Sequence, residues 1–81
     1  SVQREDVRNE AMTVDGREAW VVESQLSFDI PNLRTKGELL IIVIVKIDDV
    51  RAGIYYASIP DTTPELVPDA RRAMADLRVV E

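Results

Sequence analysis

The chain has 81 residues, 46% of them hydrophobic and 31% charged, which fits one small folded domain near the size where a single core barely suffices. Fifteen acidic against ten basic residues give a net charge of −5, so binding nucleic acid or an anionic membrane surface by charge is excluded as a leading role. There is no cysteine and no histidine, which removes disulfides, thiolate metal sites and every His-dependent catalytic arrangement.

The chain opens Ser-Val-Gln without an initiator methionine, and a piece excised from something longer is the expectation. Residues 1–6 are mostly polar and read as a frayed start. Asp15-Gly16, between Val14 and Arg17, is a strong hairpin signal, because a two-residue type I′ turn needs positive φ at both central positions. Paired positions then sum to 31. Trp20 faces Ala11, Val22 faces Asn9, and Arg8 faces Glu23 as a cross-strand ion pair of about 0.2–1 kcal/mol. The arm before the turn, Val7–Val14, holds weak strand formers, and a helix across Asp6–Met12 is the competing reading.

After the turn, Trp20, Val22, Leu26, Phe28 and Ile30 share one parity while Glu23, Gln25, Ser27 and Asp29 share the other. That alternation predicts a strand with Trp20 and Phe28 toward the core, ended by Pro31. A polar loop over 32–37 leads to Leu39-Leu40-Ile41-Ile42-Val43-Ile44-Val45. A seven-residue run of this kind reads as a strand dry on both faces, since a spanning helix needs roughly 18 apolar residues. The strand is expected over Glu38–Asp48, a turn over Asp49–Gly53 and a further strand over Ile54–Ile59, closed by Pro60.

Thr62 or Thr63 is placed to cap a last helix, with Pro64 and Glu65 in its first turn. Leu66, Ala70, Ala73, Met74 and Leu77 make one apolar stripe. Pro68 predicts an irregular turn over 64–67 and a regular helix from there to Leu77, then an extended Val79-Val80 tail. The fold class is therefore α+β: a single domain with an antiparallel four-stranded meander (ββββα) and a C-terminal helix packed on one face.

One helix covers one face. Leu40, Ile42 and Ile44 lie on the other, grouped with Ala19, Val21 and one tyrosine, taken as Tyr55. Leaving such side chains in water forgoes roughly 1.5–3 kcal/mol each, so this face is the candidate contact surface. Its cover is a missing N-terminal part, a second copy, or the N-terminal segment folded back as a helix; the competing reading is a mildly apolar face left in solvent.

Candidate chemistry is thin. Asp48-Asp49 and Asp61-Thr62-Thr63 sit at expected turns, where Asp serves backbone hydrogen bonding, and calcium-loop spacing is absent. Ser24, Ser27 and Ser58 have no histidine to activate them. Lys46 is expected to reach solvent at the sheet end, and Arg71-Arg72 to be solvated and to compensate nearby acids. No catalytic residue, metal site or cofactor is expected.

Val14-Asp15-Gly16-Arg17-Glu18-Ala19-Trp20 and Ala73-Met74-Ala75-Asp76-Leu77-Arg78-Val79, with the order of elements between them, resemble the C-terminal half of PsbP-like domains, as in membrane-anchored or lipoprotein envelope proteins of actinobacteria. The resemblance implies an extracytoplasmic accessory domain that associates with itself or another protein, attached to a membrane only through a segment outside this chain. The rival function is a small-molecule or lipid-binding module with the second sheet face as pocket wall.

Overall fold

The computed structural model describes residues 1–80. Four strands, β1 (Val2–Val14), β2 (Arg17–Phe28), β3 (Gly37–Lys46) and β4 (Ala52–Pro60), form one antiparallel sheet in the order β1-β2-β3-β4. A 3₁₀ turn at Pro64–Leu66 then leads into the helix α1 (Val67–Ala75). This is the expected meander and closing helix.

The hairpin turn forms because Asp15 and Gly16 take φ of 51° and 72°, the left-handed region that Gly enters freely and Asp tolerates. Its register is the one the two-residue loop dictates, Ala11 opposite Trp20, Asn9 opposite Val22 and Arg8 opposite Glu23. Beyond Arg8 the register slips by one at Val7, and Asp6 faces Ser24. This bulge carries β1 on to Val2 opposite Phe28. Residues 1–6 are thus paired rather than frayed. The Ser1 ammonium donates to the Asp29 carbonyl at 3.0 Å, and the Asp29 N–H donates to the Ser1 carbonyl at 2.9 Å. Val2–Val14 being a strand also removes the helix across Asp6–Met12, and with it the N-terminal helix as cover for the second face.

Pro64 begins the 3₁₀ turn and Pro68 is the second residue of α1, where a missing N–H costs no helical bond. The helix ends at Ala75, two residues short of Leu77. Neither threonine caps it: the Thr63 hydroxyl donates instead to the Pro60 carbonyl at 3.4 Å. The buried core is Val14, Ala19, Val21, Ile41, Val43, Val45, Ile59 and Met74, with Leu39, Tyr55, Ala57, Val67, Ala70, Leu77 and Val79 packed around it. All of it lies between the sheet and α1 with its tail. The Val79 N–H donates to the Asp15 carboxylate at 2.9 Å, which fastens the tail to the hairpin turn.

Candidate interaction face

Residues directly opposite in an antiparallel sheet point to the same face. Trp20 is opposite Ile44, Val22 opposite Ile42, and those in turn are opposite Ile54 and Tyr56. The face away from α1 therefore carries Trp20, Val22, Leu40, Ile42, Ile44, Ile54 and Tyr56. Ala19 is opposite Val45, and Val21 opposite Val43, which faces Tyr55. The grouping expected from sequence is thus corrected: Leu40, Ile42 and Ile44 belong to the open face, whereas Ala19, Val21 and Tyr55 lie under the helix. Val21 is 0% exposed, and the Tyr55 hydroxyl donates to the Ala70 carbonyl of α1 at 3.0 Å. Trp20 is the converse correction, standing on the open face rather than in the core.

Nothing within the described residues lies over the middle of this face. Ile54 is 72% exposed, Tyr56 59%, Trp20 46% and Ile44 43%, while Val22, Leu40 and Ile42 are half-buried only by their neighbours. The run Leu39–Val45 is accordingly dry on one side alone: Ile41, Val43 and Val45 are buried under the helix, and the even positions are not.

At one end of the face the 47–51 loop folds up beside Trp20. Together they bound an open trough of about 650 Å³ with Ala11, Trp20, Ile44 and Ala52 along it and Glu18, Lys46, Asp48 and Asp49 at its rim. The loop is built by Asp48, whose Oδ1 accepts from the backbone N–H groups of Val50 and Arg51, both at 2.9 Å, while Oδ2 accepts from Arg51 Nε at 2.6 Å. These bonds hold the Asp48 carboxyl below its usual range, the Val50 N–H foremost. Lys46 Nζ stands 3.7 Å from Glu18 and 3.8 Å from Asp49, at the exposed sheet end as expected. The Trp20 indole N–H donates to Asn9 Oδ1 at 2.6 Å, which fixes the ring across β1.

At the other end the polar group is Asp6, Ser24 and Arg4. Ser24 donates to Asp6 at 2.7 Å, and Arg4 Nε lies 3.0 Å from Asp6 and 3.2 Å from Ser24. Ser24 is thereby engaged as a hydrogen-bond bridge, and its partners lower the Asp6 pKa, the serine more than the arginine. Among the described residues no three carboxylates converge closely enough to hold a metal ion.

On the covered side the expected Arg8–Glu23 cross-strand pair forms, and what the sequence does not show is its burial and its third member, Arg71. Glu23 is 1% exposed beneath α1, with Oε2 at 3.2 Å from Arg8 Nη1 and Oε1 at 2.7 Å from Arg71 Nη2. Arg8 also bonds Glu10 at 2.6 Å, and these two carboxylates, Glu10 foremost, raise its pKa. Arg71 and Arg72 thus compensate acids as expected, Arg72 pairing with Asp69 at 3.1 Å, but the acid that Arg71 meets is buried.

No protein family, curated protein or solved structure matches this chain. The resemblance to PsbP-like domains therefore rests on the residues that carry it.

Proposed function

We propose that this chain is a non-enzymatic interaction or accessory domain, using the open sheet face as a protein-contact surface. The carrying observation is the row of Trp20, Val22, Leu40, Ile42, Ile44, Ile54 and Tyr56 on one side of a sheet whose helix covers the other. A patch of such residues, with Trp and Tyr among them, has the composition of an interface centre. The extracytoplasmic, cell-envelope setting is proposed on the PsbP-like resemblance of Val14–Trp20 and Ala73–Val79. No helix of the described residues is long and apolar enough to cross a membrane.

The trough beside Trp20 favours a second function, capture of a small apolar molecule or lipid, since its volume lies within the range of ligand sites. The two separate in one experiment. As the only tryptophan, Trp20 reports cover on this face. For a contact surface, sedimentation should show concentration-dependent association with a blue shift of Trp20 emission, and Ile44→Lys should abolish both while melting normally when dilute. A monomer whose emission never moves with concentration, and whose melting temperature rises with added apolar ligand, would assign the trough instead.

A further inference from the structure

The two edges of the sheet are built differently. β1 is a long edge, but it carries Arg4, Glu5, Asp6, Arg8 and Glu10 and is broken by the bulge at Val7, all devices that discourage strand addition. β4, Ala-Gly-Ile-Tyr-Tyr-Ala-Ser-Ile-Pro, has no charge in its nine residues and pairs with β3 without a bulge. Among the described residues, no backbone group outside β3 bonds to Ala52–Ile59. Ile54 and Tyr56, the most exposed apolar side chains of the open face, both stand on this edge.

The charges bracketing β4 decide what it accepts. Arg51 immediately precedes the strand and Asp61 immediately follows it. A second β4 laid antiparallel about a two-fold axis through Tyr56 sets positions summing to 112 opposite each other. Arg51 then meets Asp61 of the other copy at both ends, Ile54 meets Ser58, and Tyr56 meets its own equivalent. A parallel copy would set Arg51 beside Arg51 and Asp61 beside Asp61. Arg51 reaches Asp48 through Nε, so its terminal nitrogens lie outside that bond, and among the described residues Asp61 accepts from the exposed Lys36 N–H alone, at 3.4 Å on Oδ1 and 3.2 Å on Oδ2. Each copy has a net charge of −5, so the uncharged β4 edge is also where two copies repel least.

From this we infer that β4 is a self-recognition edge: two copies pair their β4 strands antiparallel across Tyr56, giving an eight-stranded sheet with one continuous apolar face. The inference rests on the contact-surface function in taking a second copy as partner; edge pairing sets the two open faces side by side without covering either, and it explains why the apolar row runs out to an unguarded edge.

Cysteine pairing tests it, since the chain has no cysteine of its own. An equal mixture of Ile54→Cys and Ser58→Cys should form a disulfide-linked species of twice the 9.1 kDa chain, at least about tenfold faster than either variant alone. Both positions are exposed, so folding is spared. Tyr56→Lys, which sets two ammonium groups face to face, should sediment as a monomer with an unchanged melting temperature when dilute. Association without faster cross-linking of the mixture, lost in Ile44→Lys, would overturn β4 pairing and leave the contact face standing. Cross-linking with Trp20 emission unmoved would uphold the pairing and count against that face. A chain monomeric at every concentration would overturn the pairing.

Discussion

Glu23 shows how a residue that looks like a solvent marker becomes structural. A carboxylate out of water is costly unless matched, and two guanidinium groups from β1 and α1 match it here. Arg71→Ala should therefore cost about 1–2 kcal/mol, since one charged hydrogen bond is lost and Arg8 still compensates. Removing both arginines should cost about 3–5 kcal/mol, more than the two single losses together, because the acid is then buried and unpaired. Urea unfolding of the two single variants and the double variant checks this, and simple additivity would refute the bridge. Asp48 and Asp6 act at the surface. Both carboxyls are held below the ordinary value of 3.8 when folded, so their contribution is complete above that pH and is lost as pH falls through the depressed values. Asp48→Asn should melt below the parent at pH 7, and the gap should close on acidification below about pH 3.8; a constant gap would mean that the charge is immaterial.

At the scale of elements, the hairpin, the meander and the split between a 3₁₀ turn and a regular helix were legible in the sequence. Asp-Gly sets its own register, and Pro64 and Pro68 mark where helical bonds cannot form. The face assignment was not legible, for a specific reason. A two-residue turn fixes the pairing of β1 with β2, but eight residues, 29–36, separate β2 from β3 and leave their register free. Trp20, Val22, Leu26 and Phe28 read as the core side because they are the larger set, and Glu23 argues against the other parity. The helix lies on the side of Ala19 and Val21, where Met74 joins them in the buried core and Arg8 and Arg71 neutralise Glu23. The Val7 bulge carried no signal either, since neither Gly nor Pro marks it. The apolar row Leu40, Ile42 and Ile44 did point to an uncovered face, although its neighbours there are Trp20 and Tyr56 rather than Val21 and Tyr55.

For the whole molecule, a sheet with one covered and one bare face makes adjacent positions energetically unlike. Ile41 is wholly buried against the helix-side core, so Ile41→Ala should cost about 2–5 kcal/mol at any protein concentration. Ile42, one residue on, is covered only by its neighbours in the sheet. In dilute solution Ile42→Ala removes partly exposed surface and should cost about 1 kcal/mol. If association covers the open face, that figure must rise with concentration, because the folded associated state is favoured by mass action and Ile42 lies within the contact. The difference between the two variants should therefore narrow as protein concentration is raised from micromolar toward millimolar in thermal melts. A difference that stays fixed across that range would mean that Ile42 stays bare, and the open face would then lose its claim to be a contact surface for this chain's own copies.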